Sequence, residues 1–156
     1  MRLAALLGPM TLALTLGAPS SYALVQPAMA GHPWPWPTTD TCLTSPAWDM
    51  ITNSCNDQVV RLLVVPMQIG ATGGGGSVHA YAHAKANPFG TSDTTCQAIG
   101  IGPDNLSYYF SSNKNTFSTS VVTLDLGSVN IPSNGTLHFE CNLGWHGGSV
   151  VNVEIQ

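Results

Sequence analysis

The carboxy-terminal stretch Leu137 to Ile155 constrains the fold most. Leu137, Phe139, Cys141 and Leu143 alternate with His138, Glu140 and Asn142. After Gly144-Trp145-His146-Gly147-Gly148, the residues Val151, Val153 and Ile155 alternate with Asn152 and Glu154. A period of two puts successive side chains on opposite faces of an extended chain. Two such runs around a glycine-rich reversal predict two antiparallel strands, joined as a hairpin, with one face on a core. One of those inward positions is a cysteine, which ties this pair to the rest of the chain.

Cys42, Cys55, Cys96 and Cys141 form an even set. Four cysteines allow three pairings. We expect Cys42–Cys55, which closes a short loop, and Cys96–Cys141, which joins two predicted strands. A four-cysteine zinc site would bring its ligands in close pairs, and these are too widely spaced. Disulfides persist in oxidising compartments, and the amino terminus agrees. Met1-Arg2 is a short positive start, Leu3 to Leu16 is apolar, and small residues stand at Ser21 and Ala23. That layout predicts a signal peptide over 1–23, cleaved after Ala23, with Ala28-Met29-Ala30 as a second site. The apolar run falls short of the about 20 residues that a membrane span needs. The expected location is secreted or extracytoplasmic, without membrane insertion.

What remains, about 133 residues, is a usual length for one domain. The expected division is an amino-terminal arm over 24–41, rich in Pro and Trp, and a single domain over 42–156. In the arm, His32-Pro33-Trp34-Pro35-Trp36-Pro37 predicts a polyproline-like path laid over the domain. Residues 42–57 read as an irregular flap, rich in turn formers. Val59 to Ile69 is an apolar, β-branched run and predicts a central strand with a bend or edge at Pro66. Ala71 to Ser77, with four consecutive glycines, reads as a connection. Val78, Ala80, Ala82 and Ala84 alternate with His79, Tyr81, His83 and Lys85, predicting a half-buried strand. Further β-like pieces lie at 94–101, 106–110, 117–126 and 129–131, and Asn134-Gly135 signals a hairpin. The fold class is therefore all-β, a disulfide-bonded two-sheet sandwich, immunoglobulin-like or jelly-roll, of about seven or eight strands.

Charge excludes some functions. Beyond residue 23 the basic residues are Arg61, Lys85 and Lys114, and the whole chain has a formal net charge of −4. Nucleic-acid backbones demand clustered Lys and Arg, so nucleic acid is not an expected partner. Catalytic arrangements are equally sparse. There is no Gly-x-Ser-x-Gly and no phosphate-loop lysine after the glycine run. Asp125 and Glu140 are the acids that could meet across strands. His79 and His83 on one strand sit about 13 Å apart, too far to share an ion.

The first functional reading is a non-catalytic structural or binding domain that needs no cofactor. Its candidate contact aromatics are Trp34, Trp36, Tyr81, Tyr108, Tyr109 and Trp145. Its partner would be a protein, a glycan or a second copy, met through a β face or edge. The alternative is a small secreted hydrolase or copper-binding protein. For copper, His32 at a processed amino terminus would be completed by His138 or His146.

Overall fold

The computed structural model describes residues 24–34, 41–47, 50–67, 75–89 and 91–156. The expected signal segment, Trp36 and the first two glycines of the four-glycine run lie outside the described residues. Two antiparallel sheets face each other. Sheet I has the order β10 (Val122–Ile131), β6 (Gly76–Lys85), β12 (Ser149–Ile155), β4 (Met50–Asn53), β3 (Leu43–Ala47), and β1 (Leu24–Pro27) also pairs with β12. Sheet II has the order β2 (His32–Trp34), β5 (Arg61–Met67), β11 (Thr136–Leu143), β7 (Thr94–Ile101), β8 (Tyr108–Phe110), and β9 (Lys114–Thr116) pairs with the other end of β7.

From β4 to β7, and again from β9 to β12, each strand crosses to the opposite sheet. That alternation, with antiparallel neighbours throughout, is jelly-roll topology. It settles the choice between the two sandwiches, because an immunoglobulin fold keeps several consecutive strands as hairpins within one sheet.

The crossing corrects the reading of the chain's end. β11 and β12 are not a hairpin: β11 pairs with β5 and β7, β12 with β6, β4 and β1. The Gly144–Gly148 reversal is an arch over the core. Alternation says which residues face inward, and it reads the same whether the next strand lies beside the first or across from it. The Asn134-Gly135 turn is likewise an arch from β10 to β11, closed by the Gly135 N–H on the Pro132 carbonyl at 2.9 Å. Asn134 holds φ at +59° there, a conformation that asparagine tolerates.

Both expected disulfides are present. Cys96 and Cys141 face each other across the β7–β11 ladder, fully buried. Cys42 and Cys55 close the ends of the β3–β4 hairpin. That hairpin replaces the irregular flap expected over 42–57. The turn formers there mark its ends, where the Ser54 N–H donates to the Cys42 carbonyl at 2.7 Å. The amino-terminal segment docks, as expected, but by pairing: β1 enters sheet I and β2 enters sheet II, with a single 3₁₀ turn at Ala28–Ala30 between them. The expected break before Val129 is a β-bulge inside one long strand, β10. Gly127 takes φ +78° in it, and its N–H donates to Asp125 Oδ1 at 2.9 Å.

The core follows the alternation. Leu137, Phe139, Cys141 and Leu143 of β11 lie between Leu63, Val65 and Met67 of β5 and Ala80, Ala82 and Ala84 of β6, all buried. The small residues of β6 and the large ones of β5 and β11 belong to one continuous core. Pro66 costs no hydrogen bond, since β2 pairs only with Leu62, Leu63 and Val64, leaving that edge open beside the proline. Among the described residues no helix is long and apolar enough to cross a membrane.

Candidate functional site

Sheet II turns a distinctive outer face to solvent. Since Leu63, Val65, Cys96, Ala98, Leu137 and Phe139 point inward, the residues between them point out. The register sets Pro66, His138, Ile99 and Phe110 in one row across β5, β11, β7 and β8. The next row is Thr136, Ile101 and Tyr108. Tyr108 and Phe110 thus share a face, with ring centroids 6.4 Å apart and ring planes inclined by 18°. They are 50% and 60% exposed, and Leu106, just before β8, is 81% exposed. The result is an aromatic strip at the sheet edge, one of several places where aromatic side chains, Phe89, Tyr109 and Phe117 among them, are exposed.

The loop feeding this strip is tightly held. Asp104 accepts from the N–H groups of Leu106 and Ser107, each at 3.1 Å, and from Ser107 Oγ at 2.9 Å. These donors hold its carboxyl below the usual carboxylate range, led by the Leu106 N–H. The Gly102 N–H donates to the Ser107 carbonyl at 2.8 Å, closing the turn. Asn105 takes φ +55°, and its carbonyl accepts the Tyr108 hydroxyl at 2.9 Å. That bond anchors the free end of the ring.

The edge itself is interrupted after the strip. Ser111 Oγ accepts the Ala98 N–H at 2.7 Å, and the Ser112 N–H reaches across to Leu126 of sheet I at 2.8 Å. A strand broken in this way is a poor template for pairing with another chain.

The candidate aromatics separate. Among the described residues Tyr108 and Phe110 are the pair that stacks, and Phe110 and Leu106 were not among the residues singled out from sequence. Their signal was the period of two in Leu106-Ser107-Tyr108-Tyr109-Phe110. Tyr109 points the opposite way, on the same side as Gly100, whose missing Cβ lets the Asn130 backbone of β10 come close. Tyr81 lies on the outer face of sheet I, against His79 at 4.9 Å. Trp145 sits half-buried in the β11–β12 arch, beside His146. Trp34 lies on β2, where its backbone pairs with Leu62, and Trp36 lies outside the described residues.

Among the described side chains the histidines lie apart as well. His79 pairs with Asp125 at 2.6 Å, while His83 meets Glu154 at 3.4 Å and Thr123 at 3.2 Å. His138 is on the outer face of sheet II and His146 in the arch. His32 is on β2, its backbone opposite Val64. Asp125 and Glu140, which the sequence allowed to meet, stand on opposite sheets. Among the described residues the one group of His, Cys, Asp and Glu close enough to share an ion is Cys42, Cys55 and Asp57. Its two cysteines are joined to each other and its carboxylate is engaged by Arg61, so it offers no ligand set.

No protein family and no curated protein sequence matches the chain. Among solved structures, the crystal structure of Podospora anserina GH26-CBM35 β-(1,4)-mannanase is similar in fold, with a TM-score of 0.50 at 13% identity. The likeness covers 86% of this chain and 27% of that one, so the chain spans about a quarter of that enzyme's length. It agrees with a β-sandwich and extends to the fold alone.

Proposed function

We propose that the chain is a secreted, non-catalytic binding module that takes a neutral glycan on the strip of Leu106, Tyr108 and Phe110. The observation that carries this reading is the pair of parallel, exposed rings on a pinned edge. The faces of sugar rings carry C–H groups, which pack on the electron-rich faces of aromatic rings. Two near-parallel, exposed rings side by side offer such contacts to more than one sugar unit. Their rigidity lowers the ordering cost of binding, since each ring has few torsions and the Asp104 loop is already set. No charged side chain lies in the two rows that form the strip, which favours an uncharged ligand, and Thr136 is within the same rows for hydroxyl contacts.

The fold likeness to a chain that carries a CBM35 module supports this reading at the level of architecture. Jelly rolls also occur among lectins. The two disulfides support an extracytoplasmic location, as does the layout of residues 1–23.

Affinity electrophoresis tests the proposal, with β-mannan, xylan and hydroxyethyl cellulose in separate gels. The wild type should be retarded in at least one. Tyr108→Ala with Phe110→Ala should weaken that retention about tenfold or more, the scale of losing an aromatic anchor. A wild type that migrates freely in all three gels, or a double variant retained as strongly as wild type, refutes the assignment.

A further inference from the structure

At the opposite end of the sandwich from the aromatic strip lies a cleft of about 390 Å³. Pro46 and the β4 residues Met50 and Thr52 form one side, Lys85, Ala86 and Pro88 another, and Thr119, His146 and Gly147 complete it. The structure assigns this cleft to a small monocarboxylate with an apolar body. The assignment is independent of the glycan reading, because it uses other residues at the other end of the strands.

Among the described residues Lys85 lacks the counter-charge that Arg61, His79 and His83 have. Arg61 is held by Asp57, with contacts of 2.9 and 2.6 Å. Along the outer face of β6, His79 faces Asp125 and His83 faces Glu154. Lys85, next on that face, has Ser149 as its register partner on β12, where the two histidines have an acid. Among the described residues its ammonium has neither a hydrogen-bond nor an ion-pair partner. Lys114 is also without one, but it is exposed and solvated, whereas Lys85 is half-buried in the cleft wall. In a chain of formal net charge −4, a half-buried cation without a partner among the described residues, on the wall of a cleft, is an attractive point for an anion.

The cleft also offers donors rather than acceptors. Ser149 Oγ donates to the Gly147 carbonyl at 2.8 Å, so the 2.8 Å bond between Thr52 and Ser149 uses the Thr52 hydrogen. Ser54 Oγ donates to the Cys42 carbonyl at 2.9 Å. The hydroxyl hydrogens of Thr52 and Ser54 are therefore committed. The donors left for a ligand are the Lys85 ammonium, the Thr119 hydroxyl and an imidazole N–H of His146. Such a set matches a group that only accepts, and a carboxylate has two accepting oxygens. Pro46, Met50, Ala86 and Pro88 suit an apolar body, and one lysine balances one negative charge rather than the two of a phosphate.

Amide chemical-shift mapping on the intact disulfide-bonded protein tests this with benzoate, its neutral isostere benzamide, and inorganic phosphate. Benzoate should move the amides of Thr52, Lys85, Ala86 and Gly147 with a dissociation constant on the order of 1 mM, as its size allows. Benzamide and phosphate should leave them in place. Lys85→Met should weaken benzoate about tenfold or more, the scale of a lost charge-assisted bond, while Lys85→Arg retains it. Thr119→Val, at an exposed position, provides a second variant that keeps the fold and should weaken benzoate several-fold. The assignment is overturned by the absence of shifts up to about 20 mM benzoate, by equal shifts with benzamide or phosphate, or by unchanged binding in Lys85→Met.

Discussion

Asn53 is the residue on which the arch end of the sandwich depends, and replacing it gives the sharpest test of the structural argument. Its side chain is fully buried at the end of β4. The amide Nδ2 donates to the Val59 carbonyl at 2.9 Å and to the Leu143 carbonyl at 3.2 Å, and Oδ1 accepts from Arg61 Nη1 at 3.3 Å. Its backbone clasps the arch on both sides: the Asn53 N–H donates to Gly148 at 3.0 Å, and the Gly147 N–H returns to Asn53 at 2.7 Å. One side chain therefore ties the hairpin to the start of β5 and to the last residue of β11.

In Asn53→Ala three side-chain bonds disappear together. At about 1 kcal/mol net for each, with a further penalty where water cannot reach the buried carbonyl of Leu143, the loss is about 2–4 kcal/mol. That is a large share of the stability of a domain this size. The assay is urea unfolding by tryptophan fluorescence with the disulfides intact. The midpoint should fall while the slope stays constant, the signature of a stability change without a change of state. Hydrogen exchange should quicken at Gly147 and Gly148 first. Asn53→Asp keeps the volume and the acceptor toward Arg61 but presents no N–H to the two carbonyls, so it should also destabilise. A loss below about 1 kcal/mol in Asn53→Ala would show that these bonds are replaced by water or by local repacking, and would refute the reasoning.

Phe139→Ala, fully buried in the two-sheet core, should cost about 3–5 kcal/mol in the same urea assay, because the truncation leaves a cavity that a close-packed core fills only in part. Under mild reductant, alkylation and mass analysis should find Cys42 and Cys55 labelled before Cys96 and Cys141, since Cys55 is half-exposed and the second pair is fully buried. The Arg61 guanidinium beside Asp57 holds its carboxyl at about 2, below its ordinary 3.8. A depressed carboxylate stabilises the fold above its unfolded value and loses that contribution as pH falls. Stability should therefore decline from pH 3.8 toward 2, and less steeply in Asp57→Asn. Asp125, lowered by His79 and by the Gly127 N–H, acts with the same sign, so Asp125→Asn should soften the bulge in β10 and flatten the acid limb further.

The parts of this fold that the sequence discloses are those governed by alternation and by cysteine parity. β6, β7, β11 and β12 lie where a period of two places them, and the cysteine pairs follow from one short loop and two neighbouring strands. Which sheet a strand joins is a different kind of information. Leu137 to Leu143 and Val150 to Ile155 would look the same as a hairpin or as facing strands, and the choice rests on close backbone approaches at Gly144 and Gly148 that exist only once Asp93 and Thr94 have packed beside them. The same holds for function. Tyr108 was visible as an aromatic, but its partnership with Phe110 required knowing that β8 is an edge strand whose outer face is not covered. Asn53 read as a turn former, and Lys85 as one polar residue in an alternating strand. Each acquires its role from residues about 90 positions or more away for Asn53 and about 60 for Lys85, brought close by strand crossing rather than by local pattern. Where consecutive strands cross between the sheets, residues far apart in sequence come together, although β3 and β4, and β7 and β8, stay side by side within a sheet. The sites of this protein are therefore properties of its topology, and its alternation only decides which side chains are free to take part.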